Sequence, residues 1–293
     1  MFKQGLKLTA KIAITTFALY WVFKNTDIDL LWKNITKSDP LFLLLAILSF
    51  LLSQLFAAAR VNIFFHQIKL SLNKFYNYKL YLVGMFYNVF LPGGIGGEGY
   101  KIYFLNKNFG TDKRQLITAI FLDKLSGLWA ICLLICSFIP FIEETSFLNI
   151  YSFSAIIAGT TVYILLYKIF FKQFFTAFPK AHLHALGLQV MQVACVIFIL
   201  FALKEDQDNL RLLPYLTLFL ASAFMALFPF TIGGLGAREL VFLYGSKYLE
   251  LDPQIAVTLS LLFFAVSAIC SLPGGYFIFR PEAIAKEKNS ETI

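Results

Sequence analysis

Seven long apolar runs set the terms for this chain. A helix needs about 20 mostly apolar residues, at a rise of about 1.5 Å each, to cross the hydrocarbon of a bilayer. Runs of that kind extend from about Leu6 to Phe23, Pro40 to Ala59, Gln115 to Phe141, Phe147 to Phe171, Leu183 to Leu203, Leu212 to Phe228 and Gln254 to Phe279. The composition agrees: 59% of the 293 residues are apolar and 14% charged, against roughly 45–50% and 25% in soluble domains. Thirty-four phenylalanines exceed what one compact core can hide, so many must face lipid or other helices. A soluble enzyme is excluded, and the expected fold is all-α, a polytopic membrane protein in a single transmembrane domain over residues 1–293.

The N-terminal run has the look of a signal peptide, with Lys3, Lys7 and Lys11 ahead of Ile12 to Phe23. Lys24-Asn25-Thr26-Asp27 follows, with no small-x-small cleavage site, so a retained helix is expected. The net charge of +8 is scattered between apolar runs rather than gathered into a basic domain. It therefore points to a membrane surface and not to nucleic acid. Cys132, Cys136, Cys195 and Cys270 all lie inside apolar runs and read as packing residues. His66, His182 and His184 fall in interfacial stretches; a spacing of two makes the last pair diverge on a helix, so no metal is expected.

Two further segments are apolar but interrupted. Tyr81 to Tyr103 contains Leu91-Pro92-Gly93-Gly94-Ile95-Gly96-Gly97-Glu98-Gly99, and Pro229 to Tyr248 contains Ile232-Gly233-Gly234-Leu235-Gly236. Both read as broken or re-entrant helices, giving about seven to nine transmembrane helices with these two included. With a cytoplasmic N-terminus and the first broken segment re-entering from that side, fourteen lysines and arginines up to Arg211 fall inside and five outside. The positive-inside rule favours that orientation. Arg280, Lys286 and Lys288 conflict with it, because seven crossings put them outside. Either the second broken segment crosses fully or the rule fails there.

At a fixed offset of 137 residues the two broken segments match without a gap. Pro92, Ile95, Gly96, Gly97, Gly99 and Lys101 fall on Pro229, Ile232, Gly233, Gly234, Gly236 and Arg238, and downstream Ala119 falls on Ala256. The pattern reads as an internal repeat, with motifs at 88–101 and 225–239. Paired glycine- and proline-interrupted segments point to a transporter's binding site near the midplane. Non-helical backbone at that depth must line a cavity or be buried in protein, where its N–H and C=O groups find partners. Glycines let a headgroup approach the backbone, and a helix starting just after them aims N–H groups at an anion. Lys101 and Arg238 then add full positive charge. The plainer alternative is that the glycines serve close helix packing.

Glu98, Lys101, Asp123, Lys124, Arg238 and Glu239 are the ionisable residues nearest the interior of apolar runs. A charge there costs at least about 2.5–3.5 kcal/mol, so a partner or a function is expected. Glu98 and Lys101 are spaced to pair on one helical face, and Asp123 is within reach of Lys101, Lys124 or Arg238. Asp123 and Lys124 alternatively snorkel to the interface. Arg60, after Ala57-Ala58-Ala59, reads as a topology anchor. The chain has no Gly-x-Ser-x-Gly elbow, Walker loop or His-Glu-x-x-His, and no cofactor is expected.

Three stretches resemble a known family. Asn88 with Leu91-Pro92-Gly93-Gly94-Ile95-Gly96-Gly97-Glu98, then Asp123-Lys124-Leu125-Ser126-Gly127, then Pro229 with Gly233-Gly234-Leu235-Gly236-Ala237-Arg238-Glu239, are similar to the lysylphosphatidylglycerol synthase transmembrane-region family. Arg60 after its run of alanines also suits it. The resemblance implies a multi-pass protein of the bacterial inner membrane that moves or positions an anionic or lipid-linked headgroup. It also implies a substrate site at Arg60, Asn88, Pro92, Gly93, Gly94, Gly96, Gly97, Glu98, Lys101, Asp123, Lys124, Pro229, Gly233, Gly234, Gly236, Arg238 and Glu239. Where the family usually carries Asp and Arg, this chain has Glu98 with Lys101, and Asp123-Lys124 replaces Asp-Arg. Lysine keeps the charge and loses the bidentate fork. The soluble aminoacyl-transfer domain of bifunctional members has no counterpart here, so synthesis of an aminoacyl lipid is not expected.

The leading expectation is a lipid translocase or lipid-handling transporter with membrane lipid as its partner. An alternative is a non-transporting protein that presents lipid-linked intermediates to a glycosyltransferase or other envelope enzyme. A third, an intramembrane enzyme, would use a Glu and an Asp beside basic residues for acid and base chemistry, without an activated nucleophile.

Overall fold

The computed structural model describes residues 27–90, 96–203, 209–227 and 236–279, together with Tyr20 and Lys24. All regular structure among them is helical: α1 (Ile28–Thr36), α2 (Pro40–Gln67), α3 (Lys74–Phe90), α4 (Gly96–Phe109), α5 (Lys113–Phe138), α6 (Asn149–Ser154), α7 (Thr160–Phe170), α8 (Phe178–Ala202), α9 (Asn209–Ala226), α10 (Ala237–Tyr248) and α11 (Pro253–Phe279). Five stretches are long and apolar enough to cross a membrane: Pro40–Gln67, Lys113–Phe141, Glu143–Phe170, Lys172–Ala202 and Pro253–Ile278. The third is α6 and α7 joined through one π-helical turn, Ala155–Gly159. Of the expected runs, Leu6 to Phe23 lies almost wholly outside the described residues.

Helix starts follow from short polar residues placed just before apolar runs. Asp39 accepts from the Leu41 N–H at 2.9 Å ahead of Pro40, and Asp112 accepts from Gln115 N–H at 3.1 Å. Asn73 and Asp252 act likewise on Phe75 and Gln254, each at the residue before its helix. Each cap supplies an acceptor to N–H groups that the helix itself leaves unpaired.

The two central helices, α2 and α8, run antiparallel. Phe42 packs edge-on to Phe201 near one end, Phe56 packs against Gly187 and His184 further along, and Gln67 accepts from Thr176 and Gln173 at the other end. Small residues at the crossing, Ala57, Ala58, Ala181 and Ala185, are buried and let the backbones approach.

Each central helix is followed by a helical hairpin. In the first, α3 and α4 are antiparallel: Tyr76 meets Phe109 at the open end, Tyr87 stacks on Tyr100, and Gly84 faces Gly97 so closely that a Cβ on Gly97 would run into the Gly84 carbonyl oxygen. In the second, α9 and α10 are antiparallel, with Leu218 packed into the space left by Gly245. The first hairpin opens toward the end that carries Lys69, Lys74, Lys107, Lys113, Arg114, Lys168, Lys172 and Lys180. The second opens toward the opposite end, which carries Glu143, Glu144, Glu250 and Asp252. The two hairpins thus enter the helical bundle from opposite sides.

That arrangement corrects the expected crossing at Leu212 to Phe228. The run is apolar enough, yet α9 is one arm of a hairpin that folds back on itself, so it does not carry the chain to the other side. Removing that crossing resolves the conflict over the C-terminus without either of the expected remedies. The helix α11 ends at Phe279 on the basic end, where Phe277 lies 5.9 Å from the Lys79 ammonium. Arg280, Lys286 and Lys288 themselves lie outside the described residues.

Helix bounds reproduce the 137-residue offset. Shifted by that amount, α2 falls on 177–204, α3 on 211–227, α4 on 233–246 and α5 on 250–275, against α8, α9, α10 and α11. Cross-packing follows the same rule: α3 packs on α11, and α9, its counterpart, packs on α5. At the first of these contacts Gly274 leaves room for the Leu82 carbonyl and Gly275 for the Phe86 ring.

Candidate functional site

The end of α3 and the starts of α4 and α10 meet at a cavity of about 250 Å³ beside the midpoint of α2. Its walls come from both halves: Phe50, Gln54 and Arg60 of α2, Tyr81, Met85, Asn88 and Val89 of α3, Glu98 and Lys101 of α4, and Asp123 and Lys124 of α5 face Gln192 of α8, Arg238 of α10, and Phe263, Phe264 and Ser267 of α11. Every ionisable residue singled out at membrane depth lines it except Glu239. Larger hollows lie at the acidic end and along the outer flanks of the bundle, away from these charges.

On the first hairpin, Asn88 ties the arms together. Its side-chain oxygen accepts from the Gly97 N–H at 2.9 Å, satisfying one of the unpaired donors at the start of α4, while its amide donates to Glu98 Oε1 at 3.1 Å. The missing Cβ at Gly97 allows this, since one there would also lie 2.8 Å from Asn88 Oδ1. Gly96 sits at the first residue of α4.

The expected Glu98–Lys101 pair does not form. Glu98 instead takes Lys124 of α5, with Nζ 2.7 Å from Oε1. Lys101 lies along the groove left by Gly84, its Cε 2.5 Å from where a Cβ would stand, with its ammonium 4.3 Å from the centre of the Tyr81 ring. It is buried, and no carboxylate among the described residues is close enough to form an ion pair with it.

Asp123 is not bound to Lys101, Lys124 or Arg238. It pairs with Arg60, whose Nε donates to Oδ1 at 2.7 Å, and both residues are buried. Arg60 is therefore not a topology anchor. The apolar run continues through Val61, Ile63, Phe64 and Phe65, so α2 extends to Gln67 and leaves Arg60 two turns inside. Gly127 gives it space, because a Cβ there would meet Arg60 Nη1 at 2.9 Å. Asp123 does not snorkel, since α5 begins ten residues earlier at Lys113. Lys124 is half-exposed, as the snorkelling alternative expects, but it is held to Glu98.

The second hairpin is built differently. Gly236, with φ +83°, occupies the left-handed region that glycine tolerates, and turns the chain into α10. Glu239 closes that turn: Oε2 accepts from the Gly236 N–H at 2.6 Å and Oε1 from Ser260 of α11 at 3.0 Å. Its carboxylate is thus shared between the hairpin's own backbone and α11, and it forms no ion pair with Arg238. The Arg238 guanidinium lies 5.2 Å from the Phe263 ring centre, and its Nε is buried without a hydrogen-bond partner. Pro92, Gly93, Gly94, Pro229, Gly233 and Gly234 lie outside the described residues.

The family described as Lysylphosphatidylglycerol synthase TM region matches residues 8–274. The chain belongs to that family. It is accordingly a multi-pass membrane protein with a membrane-lipid-related function. No curated protein matches it.

Sequence patterns did not point to Tyr81, Gly84, Gln54, Gln192, Phe263 or Ser260. One signal was available: Leu91-Pro92-Gly93-Gly94 recurs as Leu272-Pro273-Gly274-Gly275, and this second copy seats α3 against α11. The histidines also depart from expectation. His182 is buried rather than interfacial, bonded to Tyr163 at 2.8 Å and to the Phe178 carbonyl at 2.7 Å. All four cysteines are free thiols, and Cys195 and Cys270 pack in the core. Among the described residues no group of His, Cys, Asp or Glu is arranged to hold a metal.

Proposed function

We propose that this protein binds the anionic headgroup of a membrane lipid between its two hairpins and carries it across the bilayer. The observation that carries the reading is the placement of Lys101 and Arg238, one from each hairpin, on a single cavity beside the midpoint of α2, with no ion-paired carboxylate for either among the described residues. A buried cation without a counter-charge is costly, and an anionic ligand relieves that cost. The starts of α4 and α10 face the same region and add the positive ends of two helices.

The two halves, related by the 137-residue offset and running antiparallel, form an inverted repeat in this reading. Such repeats give alternating access when one half rocks against the other around a central site. The basic end faces the cytoplasm, following the positive-inside rule, in a bacterial inner membrane. The chain has no catalytic role in the scheme.

A vesicle assay tests it: purified protein is reconstituted with fluorescent anionic lipid, and the fraction that crosses is read by quenching from outside. Wild type is expected to move lipid, and Arg238→Ala to slow it by about tenfold or more, as expected for loss of a buried charge contact. Equal rates for the two proteins would overturn the proposal. Binding without any movement would favour the presenting role instead.

A further inference from the structure

The charge on the cavity wall says what kind of headgroup belongs there. Four cations line it, Arg60, Lys101, Lys124 and Arg238, against two carboxylates, Glu98 and Asp123. The difference is two positive charges. The stretches 91–95 and 228–235, which lie outside the described residues, contain no ionisable residue. We propose that the site is charged for a lipid carrying a dianionic phosphate group, a phosphomonoester or a diphosphate esterified at both ends, in preference to a singly charged phosphodiester or a cationic headgroup. This rests on the reading of the cavity as a lipid-headgroup site.

The hydrogen-bond inventory agrees in kind as well as number. Both carboxylates are already engaged, Asp123 by Arg60 and Glu98 by Lys124 and Asn88. Neither is therefore available as the partner of an incoming ammonium. Among the cavity's buried acceptors Glu98 Oε2 is unbonded, and a single oxygen of an already paired carboxylate suits a hydroxyl better than a second cation. On the donor side, Lys101 offers its ammonium, and Arg238 Nε and Arg60 Nη1 are buried without partners. A single phosphodiester would neutralise one of the two excess charges and leave the other buried. A cationic aminoacyl headgroup would raise the imbalance to three. Two phosphate charges bring the cavity to neutrality, which is the state a low-dielectric interior favours.

The two sources of dianionic phosphate differ in reach. A diphosphate offers one phosphate to Lys101 and one to Arg238, whereas a phosphomonoester offers both side chains a single centre.

The test is a binding series on the detergent-purified full chain, followed by native mass spectrometry. The lipids are phosphatidic acid, a polyprenyl-diphosphate sugar, phosphatidylglycerol and lysyl-phosphatidylglycerol. Wild type is expected to hold the first two at least about tenfold more tightly than phosphatidylglycerol, with lysyl-phosphatidylglycerol weakest. Lys101→Gln removes one of the two excess charges and is expected to bring phosphatidic acid and phosphatidylglycerol to within about threefold of each other. Should that variant not fold, the wild type carries the same test. Phosphatidic acid is expected to gain affinity from about pH 5.5 to about pH 8 as its second proton leaves, while phosphatidylglycerol stays level. A diphosphate that outcompetes phosphatidic acid assigns one phosphate to each hairpin, and the reverse order assigns one centre to both.

Phosphatidylglycerol or its lysyl ester binding as tightly as the dianions would overturn this inference. It would leave the transport reading standing if lipid movement still depends on Arg238. Absence of binding by every anionic lipid would remove both.

Discussion

The two hairpins share a backbone plan and differ in nearly every charged residue. At the offset of 137, Lys101 answers Arg238, but Glu98 answers Leu235, Asp123 answers Ser260, Lys124 answers Leu261, Asn88 answers Met225 and Arg60 answers Ile197. The first half holds two ion pairs, Arg60–Asp123 and Glu98–Lys124. The second contributes one guanidinium against an aromatic ring, and the neighbouring Glu239 carboxylate serves the turn and Ser260. The comparison teaches that glycines and helix starts preserve the shape of a half, while the chemistry of the cavity is concentrated in one of them. Helices that follow one order in both halves therefore enclose a cavity of unlike walls, with two ion pairs on one side and, on the other, a guanidinium that has no ion pair among the described residues.

Substitutions can break this contrast. The largest effect is expected at Asp123: Asp123→Ala leaves the Arg60 guanidinium buried and unpaired, which costs about 3–5 kcal/mol. Thermal unfolding of the purified protein measures it. Arg60→Met combined with Asp123→Leu is expected to recover most of the loss, because no charge is then stranded. In the second half, Glu239→Ala removes hydrogen bonds to Gly236 and Ser260 without stranding an ion-paired partner, and about 1–3 kcal/mol is expected. Equal losses at Asp123 and Glu239 would mean that the second hairpin depends on charge as heavily as the first.

Next in size is the glycine contact. Gly97→Ala sets a methyl group against the Gly84 carbonyl, where backbone cannot give way cheaply, so about 1–3 kcal/mol is expected. Gly99→Ala, two residues on and with nothing within 4 Å, is expected to be neutral or to stabilise by up to about 1 kcal/mol, because alanine is the better helix former. A loss at Gly99 matching that at Gly97 would show that helix flexibility, and not the close approach, is what the glycines provide. Lys124→Met is expected to cost about 1–2 kcal/mol, less than Asp123→Ala, because half-exposed Lys124 is screened while its loss leaves the buried Glu98 carboxylate with Asn88 alone.

Much of this was legible in the sequence, for reasons that also set the limit. Long apolar runs mark crossing helices because lipid leaves a helix few alternatives, and five of them appear as expected. The depth at which a helix stops is another matter. Leu212 to Phe228 is as apolar as a crossing helix, and only its packing against α10 makes it half of a hairpin. The charged residues of the site were found by their cost at membrane depth, which is a property of one residue. Their pairing was not, since Glu98 meets Lys124 only because α4 and α5 come together, and Arg60 meets Asp123 across 63 positions of chain. Tyr81 and Gly84 were missed for the same reason: an aromatic and a glycine in an apolar run carry no signal until Lys101 lies against them.

The opposed directions of α2 and α8 bear on how the protein comes to sit in its membrane. Turn the molecule over, and the same order of long helix, half-deep hairpin and long helix meets the eye. Backbone architecture therefore offers the insertion machinery no compass. Direction is written in the lysines gathered at one rim and the carboxylates at the other, side chains that take no part in the cavity. A handful of charge exchanges between the rims would yield a population inserted both ways, each copy with its helices packed alike.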